Sequence, residues 1–140
     1  MKIGHAHLKV RSLERSVEFY RNVFGLQVRE QIGGFAFLSG TEMYHEIALQ
    51  EVGEAARLPG RSDVGLFHVA FEVPDRDALS ERYHYLLSQG MRVFPVDHRI
   101  SLAIYFSDPD GNGLEIYCDT RDEADGAEIW EGRDRRLVEL

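Results

Sequence analysis

The sequence predicts an α+β fold built from two tandem βαβββ modules in a single domain. Three observations carry that prediction. An internal repeat begins at a histidine in each half, and within each repeat the hydrophobic spacing switches between period two and a helical period. The length of 140 residues holds one real core but not two ordinary independent domains. The repeated segments are HAHLKVRSLERSVEFYRNVFGLQV from His5 and HVAFEVPDRDALSERYHYLLSQGMRV from His68. Both read histidine, alternating strand, turn, helix, glycine, strand.

In the first repeat Leu8 and Val10 alternate as in a half-buried strand, and Ser12 stands where a helix needs its N-cap. Leu13, Val17, Tyr20 and Phe24 recur at helical spacing up to Gly25, which suits a left-handed C-cap leading into a strand from Leu26 to Val28. Phe35 to Leu38 and Tyr44 to Leu49 supply the next strands, with turns at Gly33-Gly34 and Ser39-Gly40. The stretch from Glu51 to Asp63, with Gly53, Pro59 and Gly60, reads as the link.

In the second repeat Val69, Phe71 and Val73 alternate, and Pro74-Asp75 opens a helix whose apolar stripe is Leu79, Tyr83, Leu86 and Leu87 before Gly90. Leu102 to Phe106 and Leu114 to Cys118 follow, on either side of a turn at Asp108 to Gly113. The two modules thus run over about residues 1–50 and 64–118. Residues 119–140 break the pattern, with eight acidic and four basic residues, a net −4 out of the chain's −8. Such a segment is expected to be solvated or loosely packed, with Ile129, Trp130 and Leu137 available to dock it on the domain or on a partner subunit.

Composition narrows the chemistry. One cysteine, Cys118, makes no internal disulfide, and without a C-x-x-C motif there is no structural zinc site of the thiolate kind. Any metal must be held by imidazole and carboxylate. The charge of −8 disfavours nucleic acid as a partner and leaves a small organic ligand as the better expectation. The apolar runs are short and the N-terminus lacks a signal-peptide layout, so a soluble cytoplasmic protein away from membranes is expected.

Taken singly, a strand histidine is more often a hydrogen-bonded packing residue than a ligand. The repeat changes that, because His5 and His68 occupy equivalent positions and pseudo-twofold symmetry would bring them together. His7 shares a strand face with His5. Glu115 lies between Leu114 and Ile116 in an otherwise apolar strand, which is costly unless the carboxylate is paired or ligating. Alone it also fits an outward residue on a one-sided strand. Two histidines and one carboxylate together are the facial set that leaves positions open for substrate and dioxygen on non-haem iron(II).

Over residues 1 to about 118 the chain resembles the vicinal-oxygen-chelate superfamily of glyoxalases, bleomycin and fosfomycin resistance proteins, epimerases and type I extradiol dioxygenases. That resemblance implies a cup-shaped mixed sheet around a metal held by His5, His68 and Glu115. Within the superfamily the sharper likeness is to extradiol catechol dioxygenases. Val-Asp-His98 is followed after five residues by Ile104-Tyr105, after two more by Asp108-Pro109-Asp110-Gly111, and after three more by Glu115. The segment Tyr44-His45-Glu46-Ile47-Ala48-Leu49 resembles the one that carries a further active-site histidine.

The resemblance implies ring cleavage of a small aromatic diol by O2, with iron(II) as cofactor and manganese(II) as the alternative, in a homodimer engaged in aromatic compound degradation. It gives Tyr105 a hydrogen bond to a catechol oxygen, His45 an acid/base role, and His98 a hydrogen bond to substrate or a later intermediate. Phe35, Phe37, Phe94 and Phe106 are candidates for the ring pocket, with core packing the competing role. His7 and His84 take no assigned role, His84 reading as a surface residue. The alternatives are a glyoxalase or epimerase on the same scaffold, for which Glu46 lies next to the expected extra carboxylate, and a metal-free drug-binding resistance protein.

Overall fold

The histidine-led repeat folds into two α+β units of the βαβββ type, which the computed structural model describes over residues 1–60 and 62–140. Unit 1 comprises Met1–Gly65 with Asp108–Asn112, and unit 2 comprises Leu66–Ser107 with Gly113–Leu140. Unit 1 contains β1 (Ala6–Val10), α1 (Leu13–Phe24), β2 (Gln27–Ile32), β3 (Phe35–Ser39) and β4 (Ile47–Glu51). Unit 2 contains β5 (Val69–Glu72), α2 (Arg76–Ser88), β6 (Phe94–Asp97), β7 (Ser101–Ser107), β8 (Gly113–Asp119) and β9 (Arg135–Arg136).

The sheet of unit 1 has the order β1-β4-β3-β2, and that of unit 2 the order β5-β8-β7-β6-β9. In each, the first strand pairs parallel with the last strand of its module, β1 with β4 and β5 with β8, while the other pairs run antiparallel. A strand whose residues follow the histidine therefore lies against the strand that closes the module.

Helix α1 starts and stops where its caps require. Ser12 accepts from the Arg15 N–H at 3.4 Å, and Gly25, at φ 71°, donates its N–H to the Arg21 carbonyl. Its buried residues are Leu13, Ser16, Tyr20 and Val23, whereas Val17 and Phe24 of the expected stripe are only half-buried. The face turned to the sheet is thus rotated slightly, with Ser16 at its centre, where a small side chain lets the helix approach. In α2, capped by Asp75 on the Ala78 N–H, Leu79, Tyr83 and Leu86 are buried, but Leu87 is 42% exposed. Leu87 follows Leu86 by one residue, about 100° round the helix, and falls off the sheet-facing stripe.

Strand β4 begins at Ile47, three residues later than the alternation from Tyr44 suggested. The segment before it is turned by side chains: Glu46 accepts from the Gly40 N–H and the Thr41 hydroxyl, and Ser39 Oγ donates to the Met43 carbonyl. These side-chain bonds to nearby backbone groups give the segment an alternative to the strand ladder.

The even-numbered residues Leu102, Ile104, Phe106, Leu114, Ile116 and Cys118 are buried on the side of the second sheet where α2 packs on β7 and β8. By strand alternation the opposite face carries Ala103, Tyr105, Glu115 and Tyr117. Gly113 opens β8 against the backbone of Phe67, where an added Cβ would stand 2.1 Å from the carbonyl oxygen. That close approach brings the start of β8 against the residue preceding His68.

The acidic C-terminal segment is held more firmly than its composition suggests. Asp97 faces Arg135 and Val96 faces Arg136 across β6 and β9, the Leu137 N–H donates to the Pro95 carbonyl at 3.0 Å, and Arg76 binds both Glu123 and Asp125. Trp130 and Ile129 stay 49% and 61% exposed, so backbone pairing and ion pairs, not apolar burial, hold this segment on unit 2.

Candidate active site

In unit 2 the register of three strands assembles the site. The parallel pairing sets Ala70 of β5 beside Glu115 of β8, and His68, two residues before Ala70, takes the same face. The antiparallel pairing then sets Tyr105 of β7 on the other side of Glu115. His68 Nε2 lies 2.8 Å from Glu115 Oε2, and the rings of His68 and Tyr105 are 5.4 Å apart. Glu115 is only 7% exposed, so its charge is placed where a cation or a ring proton must answer it.

His98 joins this row from the β6–β7 turn. Its N–H donates to the Ser101 carbonyl, and Arg99 takes φ 71° to close the turn. His98 Nε2 lies 2.7 Å from the Tyr105 hydroxyl, while Nδ1 meets Asp134 Oδ1. Trp130 Nε1 donates to that same Asp134 oxygen at 2.6 Å. Burial, and then the charge of Glu115, push the Tyr105 phenol well above its ordinary range, so Tyr105 is a neutral hydrogen-bond donor at physiological pH. Hydrogen bonds from His98 and from Trp130 hold the Asp134 carboxyl below its ordinary value.

A cleft of about 480 Å³ opens beside Tyr105, lined by Met91, Arg92, Phe94, Phe106 and Ser107. Phe94 stands directly across from Tyr105 on β6. Of the four phenylalanines expected around a ring, Phe94 and Phe106 line this cleft, and Phe106 also packs in the core at 5% exposure.

Unit 1 gathers its own histidines. His5 directly precedes β1, and its ring centroid lies 4.4 Å from that of His45. His7 and Phe37 both pair with Ala48 and so share one sheet face; Phe37 lies 5.2 Å from His45, and Phe35 6.0 Å from His7. Partial burial, then the neighbouring His5, hold the His45 imidazole below its ordinary value, so it is neutral and able to take a proton at physiological pH. His45 Nδ1 is buried with no hydrogen-bond partner, an arrangement that calls for a ligand or a water. The Glu46 carboxylate is occupied by Gly40 and Thr41. His84 is exposed on α2 beside Tyr83, as expected of a surface histidine.

The sequence-predicted residues therefore fall into two groups: His68, Glu115, Tyr105 and His98 on one face of unit 2, and His5 with His45 in unit 1. Neither unit by itself groups three His, Cys, Asp or Glu side chains as a metal site among the described residues. The His68–Glu115 pair nonetheless fits two adjacent ligands of one ion. Donors about 2.1 Å from a metal at right angles stand about 3.0 Å apart, close to the observed 2.8 Å. Imidazole with carboxylate is also a donor set suited to iron or manganese.

Asp134 was missed by reasoning from the sequence. It sits in an acidic run with no local motif, and only the pairing of β9 with β6 brings it to His98.

Comparison with known proteins follows the same lines. The family model described as Glyoxalase/Bleomycin resistance protein/Dioxygenase superfamily matches residues 2–116. The catechol-2,3-dioxygenase of Bacillus subtilis (strain 168) is 44% identical over 84% of this chain and 41% of its own length. The biphenyl-2,3-diol 1,2-dioxygenase 3 of Rhodococcus globerulus is 31% identical over 84% of this chain and 63% of its own. The chain thus spans less than two thirds of either relative. Among solved structures, a possible glyoxalase from Bacillus cereus superposes with a TM-score of 0.68 at 25% identity, covering 84% of this chain and 99% of that one.

Proposed function

Because this chain belongs to the Glyoxalase/Bleomycin resistance protein/Dioxygenase superfamily, we propose that it is an extradiol ring-cleaving dioxygenase acting on a catechol-type aromatic diol with O2. The observation that carries the proposal is the row His68, Glu115, Tyr105, His98 on one sheet face, a ligand pair followed by a phenol and an imidazole in hydrogen-bond contact. The likeness to two ring-cleaving dioxygenases supports it.

His68 and Glu115, with His5 as the third ligand by resemblance, would hold iron(II), or manganese(II) in its place. Bound there, the metal would supply adjacent open positions at which a diol and dioxygen are brought together. The chain's own residues manage orientation and protons. Tyr105, neutral and with its proton turned to His98 Nε2, accepts a hydrogen bond from a diol hydroxyl at its own oxygen, and the cleft lined by Phe94 and Met91 opens beside it. His98 passes or holds a proton through Nε2, and His45, with its unpaired Nδ1, is the group able to take one from the second hydroxyl.

The test is turnover. Protein loaded with iron(II) in air should convert catechols into yellow ring-opened products, and absence of product across mono- and bicyclic catechols with iron fully bound would overturn the proposal. His68→Ala should lose most metal affinity. His98→Phe should retain the metal and lower kcat by about 10²- to 10⁴-fold; metal loss in that variant would break the division between ligands and proton-handling groups.

A further inference from the structure

We infer that Asp134, from the C-terminal segment, is a positioning residue for His98: it accepts the hydrogen bond of Nδ1–H and so turns the unprotonated Nε2 to the Tyr105 hydroxyl. The inference rests on the proposed proton-handling role of His98, but its geometry stands independently.

An ionised carboxylate only accepts hydrogen bonds, so the contact between Asp134 Oδ1 and His98 Nδ1 places a proton on that ring nitrogen. A neutral imidazole carries one ring proton, which leaves a lone pair on Nε2, 2.7 Å from the Tyr105 oxygen. The Tyr105 hydroxyl then has an acceptor in His98. Without Asp134 nothing selects against the Nε2–H tautomer, and in that tautomer the ring presents a donor to Tyr105.

The fold builds this contact deliberately in three ways. Asp97 of β6 is paired with Arg135 of β9, and His98 and Asp134 are the next residues just past the ends of these strands, so the antiparallel register leaves them opposite each other. Arg135 clamps the same strand pair through Asp97 at 2.8 Å. Trp130 Nε1 donates to Asp134 Oδ1, the very oxygen that meets His98, and so fixes the carboxylate's rotation. A histidine oriented by a carboxylate on its far nitrogen is how proteins commonly set imidazole tautomer and direction. This carboxylate comes from outside the residues matched by the family model, 2–116.

The experiment reads the tautomer of His98 by nitrogen NMR in the full chain labelled with ¹⁵N-histidine, without added iron. The wild type should show the Nδ1–H form, Asp134→Ala a mixture or the Nε2–H form, and Asp134→Asn, whose Oδ1 can still be held by Trp130, the wild-type form. An Nε2–H wild type, or an unchanged ring in Asp134→Ala, would overturn the inference. Because this readout needs no substrate, it decides the matter even if ring cleavage is not the reaction. In the iron-loaded enzyme acting on catechol, Asp134→Ala should lower kcat by about 10- to 100-fold with KM nearly unchanged, and Asp134→Asn should recover most of that loss. Equal kcat in wild type and Asp134→Ala would count against a positioning role.

Discussion

Tyr20 of α1 has no solvent exposure, and its hydroxyl donates to Asp108 Oδ2 at 3.1 Å, across 88 residues of sequence. Asp108, itself 5% exposed, also accepts from the backbone N–H groups of Asp110 and Asn112, each at 2.9 Å, and so organises the turn that belongs with unit 1. Burial, then the Asp108 charge, push the Tyr20 phenol far above its ordinary range, which keeps it a donor at any pH the fold survives. Tyr20→Phe should cost about 1.5–3 kcal/mol, the usual worth of a hydrogen bond to a charged acceptor, read as a lower urea midpoint with an unchanged slope. Helical spacing was enough to place Tyr20 in the core. Its partner was not legible, because nothing near residue 108 refers to residue 20.

At the scale of elements, the attachment of β9 to β6 depends on one carboxylate. Burial pushes the Asp97 carboxyl up, but hydrogen bonds from Arg135 and the Arg99 N–H, with the charges of both arginines, outweigh it and hold Asp97 below the usual carboxylate range. A depressed folded-state value means that the stabilisation is fully present above the unfolded value of 3.8 and is lost as pH falls through the folded one. Hydrogen exchange at the Leu137 amide, which is bonded to Pro95, should therefore keep its protection down to the unfolded value of 3.8 and lose it as the pH falls further. In Asp97→Asn that amide should be less protected at neutral pH and the acid-dependent part should vanish. Equal acid sensitivity in the two proteins would place the switch elsewhere. The caps of α1 were legible because Ser12 and Gly25 act on their immediate neighbours, and the start of α2 was marked by Pro74-Asp75. The two-residue β9 was not, since its pairing is decided by what lies across from it.

For the whole molecule, the proposed ligands are divided between the two units, His5 in one and His68 with Glu115 in the other. A cation that binds the native chain and not the unfolded one stabilises by mass action, about 2.7 kcal/mol at a hundred times its Kd. Under anaerobic conditions iron(II) or manganese(II) should raise Tm, a chelator should reverse the rise, and His68→Ala should abolish it. A wild-type Tm indifferent to both metals would remove the metal from the proposed function. No helix among the described residues is long and apolar enough to cross a membrane.

The candidacy of His98 and Tyr105 rests on the resemblance to extradiol dioxygenases; by itself the sequence determined the α+β class, the two βαβββ modules, the caps of α1 and the candidacy of His68 and Glu115. These follow from hydrophobic period, from capping chemistry and from spacings within one module, all of which are local or repeated in the chain. It also pointed to Leu87 as core, and there tertiary structure decided otherwise. Which residues face each other across a sheet depends on register, a property of two strands at once. Register is what set Glu115 between His68 and Tyr105, and what carried Asp134 from an unremarkable acidic run to the far nitrogen of His98.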